Sequence, residues 1–413
     1  MNLYADAQTI LREAIAAVQP EAAVTRALAQ LPPCHGRRIL VAVGKAACPM
    51  ASAALQALDG HVHAGIVITK HGHGVPLPAP LQVLEAGHPV PDAATYAATA
   101  QALALTANLT PADQVLFLLS GGGSALFEQP LLPPQELTDV TQQLLACGAA
   151  IAQVNTIRKR LSAVKGGRFA LHCAPAQVWS VVLSDVLGDR LDMIASGPAC
   201  PDRSTAEEAL EIVSRYALRL SPQALACLRR PTPSALPNAQ SIVTGSVRQL
   251  VDAAARTCRR LGYDVEILTD CLQSEARDAG RWLAREALVR SGPRALLAGG
   301  ETVVHVMGPG LGGRNQELAL SAAAQIAGQR ALAIFSFGSD GTDGPTDAAG
   351  GYVDGQTQAA LARQGISIPD VLARNDAYHA LAACGGLIKT GPTGTNVNDL
   401  SVALLGPERQ GNY

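Results

Sequence analysis

Short β-branched runs alternate with longer stretches rich in Ala and Leu along the first half of this chain, and that alternation is its primary structural signal. Residues 38–43, 64–68, 115–119 and 178–183 are apolar almost without interruption, as strands buried on both faces are. Between them, residues 46–58, 92–105 and 134–146 carry helical patterns, the second opening at Asp92, an N-cap type of residue that follows Pro91. Strand, helix and strand in repetition predict a mostly parallel α/β sheet with helices on both faces. The later half repeats the theme, with strands expected at 241–244, 264–268, 295–298, 302–307, 331–337 and 401–404. Helices are expected near 247–260, 275–290 and 315–324. Three prolines, Pro231, Pro233 and Pro237, interrupt any periodicity between the halves, so the chain is divided into domains 1–237 and 238–413.

Composition narrows the function classes. Thirty-two Lys and Arg against 34 Asp and Glu leave a formal charge of −2, which gives no field for holding duplex nucleic acid or an anionic membrane. Aromatic residues are only 3%, too few for base-stacking platforms. Nine scattered cysteines, with no Cys-x-x-Cys pair, read as reduced buried thiols. No apolar segment approaches membrane-spanning length and the first residues lack a secretory pattern, so a cytoplasmic protein is expected. Small molecules are the expected partners, and assembly into a homo-oligomer stays open.

Glycine-rich loops follow the predicted strands, where open α/β sheets take their ligands. In Ser120-Gly121-Gly122-Gly123-Ser124, three residues without side chains let backbone N–H groups approach an anion, with hydroxyls at both edges and a helix start behind. Phosphate is the natural guest; a plain tight turn is the competing reading. Lys45, directly after Gly44, sets an ammonium at a strand end, suited to a phosphoryl group or a carboxylate, or else is a solvated helix-start lysine. Asn155, Arg158 and Lys159 share a helical face that serves either as an anion clamp or as a solvated basic surface. Asp185, just past a strand, with Asp189 in support, is placed to hold Mg²⁺, or else caps the next segment. Asp340 and Asp343, in the acidic glycine-rich loop after residues 331–337, suit a metal ion or sugar hydroxyls, against an Asx-turn alternative.

Residues 308–313 formally match Gly-x-Gly-x-x-Gly, yet Pro309 and the missing acid about 20 residues on mark the match as a decoy. Arg314 and Glu317, one turn apart, look instead like a cleft arginine with an orienting carboxylate, or else ordinary surface residues. The histidine pairs His61/His63 and His71/His73 lack a third metal ligand.

Assembled, these blocks resemble one family. Val43-Gly44-Lys45-Ala46-Ala47, Gly87-His88-Pro89-Val90-Pro91-Asp92, the 119–126 and 183–189 segments, Asn155-Thr156-Ile157-Arg158-Lys159-Arg160, Gly312-Gly313-Arg314-Asn315-Gln316-Glu317, the 338–344 loop and Thr393-Gly394-Thr395-Asn396 are similar to those of glycerate 2-kinases whose carboxyl-terminal module is called MOFRL. That family was long labelled hydroxypyruvate reductase in the setting of tartrate degradation. The resemblance implies a Rossmann-like first domain, a smaller α/β MOFRL-type second domain, and a site in the cleft between them. It implies phosphorylation of D-glycerate at its 2-hydroxyl by ATP with Mg²⁺, and catalytic roles for Lys45 and Arg314. On that footing Ser120, Gly121, Gly122, Gly123, Ser124 and Lys159 hold nucleotide phosphates, Asn155, Arg158, Glu317, Asp340 and Asp343 meet substrate, and Asp185 and Asp189 orient the metal. An NAD(P)H-dependent hydroxypyruvate reductase and a non-catalytic phosphosugar-binding regulator remain as alternatives.

Overall fold

A computed structural model describes residues 2–184, 186–188 and 190–407. The chain forms two compact units: residues 23–244 make one, and the segment up to Ala22 joins the chain from Gly245 onward in the other.

The 23–244 unit is built on strands β1 (Arg38–Val43), β2 (Ala64–Lys70), β3 (Leu81–Ala86), β4 (Gln114–Leu119), β5 (Gln177–Leu183) and β6 (Ala239–Gly245). Their order is β3-β2-β1-β4-β5-β6, with β3 through β5 parallel, which is the Rossmann order. Every residue of β4 and all but the first of β1 are buried, as their uninterrupted apolar runs require. Because β1 pairs with both β2 and β4, the chain winds outward in opposite directions from β1 and β4. The loops after those two strands therefore lie side by side at the topological switch point. Beneath them Phe117, Phe127 and Phe169 pack mutually at centroid distances of 5.7, 4.8 and 5.1 Å. Truncating any of the three to Ala would cost about 3–5 kcal/mol and undermine the loop above.

The other unit carries β7 (Asp264–Leu272), β8 (Arg294–Gly300), β9 (Leu332–Gly338), β10 (Gly350–Asp354), β11 (Leu387–Ile388) and β12 (Asp399–Leu405), in the order β11-β10-β9-β12-β8-β7. This sheet is mixed: β12 runs antiparallel to both β8 and β9, while β7 and β8 are parallel. Helix Arg314–Gln325 is buried from Asn315 to Ala323, so the polar side chains of its first turn must find partners inside. The amino-terminal helix Leu3–Ala17 also belongs here. Tyr263 donates to Asp6 at 2.7 Å, Arg260 pairs with Glu13 at 2.5 Å, and Tyr4 meets Tyr352 edge-on at 5.1 Å.

Several elements differ from expectation. The chain divides after Thr244, and not at 237/238, because the 241–244 run lies in β6, an edge strand of the first sheet. Residues 302–307, β-branched enough to suggest a strand, form a loop with a single bridge from Val303 to Glu275, and Val306 and Met307 are exposed. Of the nine free cysteines, Cys48, Cys173, Cys227 and Cys258 are buried as expected, whereas Cys147 and Cys271 are exposed. Among the described residues no helix is long and apolar enough to cross a membrane.

Candidate active site

At the switch point of the 23–244 unit the two loops are stitched together. The Lys45 amide donates to the Gly121 carbonyl at 2.9 Å, the Ser120 amide to Val43 at 2.9 Å, and the Ala46 amide to Ser120 Oγ at 3.0 Å. Ser120 is buried, so its hydroxyl, expected at the edge of an anion cradle, serves this junction instead. The helix that follows, Gly123–Leu126, is a single turn, too short to supply the dipole expected behind the loop. What remains is backbone. Among the described residues the amides of Gly121, Gly122, Gly123 and Ser124 have no acceptor, an unusual concentration of unpaired donors. Glycine is required at two of these positions: Gly122 has φ of 88°, with the His88 ring 3.1 Å and Lys45 Cγ 3.4 Å from where a Cβ would stand, and a Cβ at Gly123 would sit 2.7 Å from that of Ala195.

The exposed Lys45 side chain and the His88 ring thus both approach Gly122, beside the free amides. Burial lowers the His88 pKa, and the Lys45 and Lys70 charges lower it further, so its imidazole is neutral at physiological pH. Behind Gly123 runs a strained segment, Ala195, Ser196 and Gly197, with φ of 50°, 61° and 65°. It is fixed by Gly166 N–H to the Ser196 carbonyl at 3.0 Å and Gly167 N–H to the Gly197 carbonyl at 2.7 Å. Ser196 Oγ donates to Asn155 Oδ1 at 2.8 Å and lies 3.3 Å from Ser124 Oγ. Since Ser196 has one proton to give, Ser124 donates to it and faces a ligand only as an acceptor.

The helix Ile151–Leu161 divides the expected basic face. Arg158 reaches the glycine loop, Nη2 donating to the Ser124 carbonyl at 2.9 Å, whereas Asn155 meets it only through Ser196. Lys159 is buried away from it, 3.3 Å from Asp202 and 3.6 Å from Asp192, so this lysine closes a carboxylate cluster and is not set at the glycine loop. Asp185 and Asp189 lie outside the described residues.

In the other unit Arg314 opens helix Arg314–Gln325. Its fork grips Asp399, Nε to Oδ2 at 2.6 Å and Nη2 to Oδ1 at 3.0 Å, while Nη1 reaches Glu301 at 3.0 Å. Burial pushes the Asp399 carboxyl up to about 6, against the pull of Arg314, so it is ionised at neutral pH. Glu317, expected to orient Arg314, turns instead to Arg277 Nε at 2.5 Å and Asn375 Nδ2 at 3.1 Å. Asp343 accepts the backbone N–H groups of Asn315 and Gln316 at 3.1 and 2.9 Å, capping the helix from a distant loop and fixing the arginine beside it. Asp340 is half-buried and accepts the Thr342 amide at 3.0 Å, the Asx turn of the alternative reading. Glu301, Arg314, Glu317, Val304 and Val306 line an open cavity of about 830 Å³. With no strand leading into residues 308–313, the dinucleotide fingerprint lacks its structural context.

An α/β enzyme with a glycine loop at the switch point of one sheet and an arginine-bearing loop cluster on the other is the class these features define. Residues 6–229 match the family described as a domain of unknown function (DUF4147), and residues 294–399 match the MOFRL family. The chain is 48% identical to the D-glycerate 2-kinase of Thermotoga maritima, over 96% of this chain and 97% of that protein. It is 40% identical to the glycerate 2-kinase of Pyrococcus horikoshii, over 91% and 88%. A crystal structure of glycerate kinase from Thermotoga maritima superposes with a TM-score of 0.94 over 98% of this chain and 99% of that one. The chain belongs to the MOFRL-containing glycerate kinase family.

Proposed function

We propose that this enzyme transfers the terminal phosphoryl group of ATP to the 2-hydroxyl of D-glycerate, giving 2-phosphoglycerate. The observation that carries the reading is the row of four unpaired amides beside Lys45 at the switch point. Such donors are costly to leave unmet and fit phosphate oxygens, so the loop is built for an anion it receives from outside. In phosphoryl transfer the protein mostly positions groups and offsets charge. Gly121, Gly122, Gly123 and Ser124 hold the nucleotide phosphates through backbone N–H groups, and the Lys45 ammonium offsets charge on the moving group. Arg314, aimed by Asp399 and Glu301, takes the glycerate carboxylate through its remaining N–H groups. The neutral His88 imidazole adds no charge beside Lys45 at the glycine loop. Both clusters serve one reaction.

Held with the nucleotide, Mg²⁺ would supply charge neutralisation at the phosphates. Such ions need only one or two carboxylates besides phosphate, a donor set that Asp185 and Asp189 would meet; among the described residues no group of three potential ligands converges.

The test supplies ATP, Mg²⁺ and D-glycerate, and separately hydroxypyruvate with NADPH. Formation of 2-phosphoglycerate, identified against the 3-isomer by NMR, is expected. Oxidation of NADPH without ATP consumption would reject the proposal.

A further inference from the structure

Lys165 and Glu128 are both fully buried, and the reaction proposed above uses neither. A buried ammonium needs several strong acceptors to remain charged. Lys165 Nζ has them: it donates to the Ser124 and Phe127 carbonyls at 2.9 Å each and stands 3.4 Å from Glu128. Arg158 donates to the same Ser124 carbonyl at 2.9 Å and stands 3.6 Å from Glu128. Both Glu128 oxygens lack hydrogen bonds, so this carboxylate acts as counter-ion alone. Two cations share one anion, and a net positive charge lies directly under the glycine loop.

Peptide connectivity carries that charge to the loop's open face. The Ser124 carbonyl shares a peptide group with the Ala125 N–H, which donates to the Gly122 carbonyl at 3.1 Å. The Gly122 carbonyl in turn shares a peptide group with the Gly123 N–H, one of the four free donors. Hydrogen-bonded peptides in series polarise one another, and a cation at one end makes the terminal N–H a stronger donor. We propose that Lys165 and Arg158, balanced by Glu128, are positioning residues that fix the 121–124 loop and strengthen its free amides toward the phosphates of a nucleotide. This rests on the nucleotide reading of the loop.

Burial, joined by Arg158 and opposed by Glu128, brings the Lys165 pKa down to about 8. On the facing helix Ala93–Leu105, Tyr96 is pushed up by burial and by Glu128, so its hydroxyl stays neutral. Charge beneath the loop is therefore lost in mildly alkaline solution through Lys165.

The experiment titrates the full-length protein with ADP by calorimetry between about pH 6.5 and 9.5, alongside turnover of ATP with D-glycerate. Wild-type ADP affinity should fall as pH rises through about 8. Lys165→Met should bind ADP at least about tenfold more weakly at pH 7, show no alkaline loss, and leave the KM for glycerate within about threefold. Glu128→Gln keeps the side-chain shape but removes the group that holds the Lys165 pKa up, so its alkaline loss should begin at lower pH. A Lys165→Met protein with wild-type affinity, or one that keeps the alkaline loss, overturns the inference while leaving the kinase intact. If that variant does not fold, an unmoved pH dependence in Glu128→Gln overturns it equally. A wild-type protein with neither ADP binding nor turnover removes the reaction and this inference together.

Discussion

The two loop clusters differ in what they leave unsatisfied. In the 23–244 unit, four backbone donors at the switch point have no acceptor among the described residues, and the charges near them, Lys45 above and the Lys165–Arg158–Glu128 set below, sum to a positive excess. In the other unit the charged groups around Arg314 are engaged with one another or with the helix: Asp399 and Glu301 hold the guanidinium, Arg277 and Asn375 hold Glu317, and helix amides hold Asp343. An empty cradle of donors gains most from an anion, because each bond it makes replaces none within the protein. A neutralised, braced arginine gains less in affinity but presents its free N–H groups in one fixed direction. The contrast suits a strong polyanion site in one unit and an orienting site for a small acid in the other.

That contrast can be broken in several places. Lys45→Met should lower kcat about a thousandfold while circular dichroism and thermal melting stay unchanged, since the side chain is exposed. Turnover near wild type would take the lysine out of the chemistry. Replacing Arg314 by Lys removes the bidentate grip on Asp399 and should cut kcat/KM for glycerate about a hundredfold without changing ADP affinity. Should ADP affinity fall instead, the assignment of ligands to the clusters is reversed. Gly122→Ala forces a side chain into a left-handed backbone beside His88, a strain of about 1–2 kcal/mol. ADP binding should then weaken about tenfold with the glycerate KM unmoved. The mildest effect concerns pH. As pH falls through about 6, Asp399 takes up a proton and loses its hold on Arg314. Wild-type kcat/KM for glycerate should therefore drop a few-fold on the acid side, and Asp399→Asn should show a lower but flatter profile.

The sequence made the framework legible where a pattern is local. Residues 134–146 and 247–260 read as helices and form helices over those residues, and the β1 and β4 runs show two-sided burial directly. Strand β3 escaped notice because its sequence, Leu81 to Ala86, alternates imperfectly at a sheet edge. The 302–307 run misled for the opposite reason: β-branched composition reports a preference, and its single bridge to Glu275 does not make a strand. Site residues divide the same way. The glycine loop and Lys45 are short-range features of one turn. The partners that redirect Lys159, Glu317 and Asp343, and the Asp399 carboxylate that grips Arg314, lie 27 to 85 residues away in sequence. Spacing along a helix cannot reveal them, and Lys159 looked like a phosphate ligand for want of Asp202. His88 and Ser196 also went unassigned, although Gly87-His88-Pro89, directly after β3, and Ser196-Gly197-Pro198 are turn sequences and offered a signal.

The helix Leu3–Ala17 leaves the ribosome before the 23–244 unit, yet its packing partners Arg260, Tyr263 and Tyr352 are translated only after the whole of that unit. At about 5–20 residues per second, its apolar face waits tens of seconds for a surface to cover it. The 23–244 unit can thus reach its native state on the ribosome while the helix before it is still bare, so a chaperone that shields nascent chains has a target in residues 3–17.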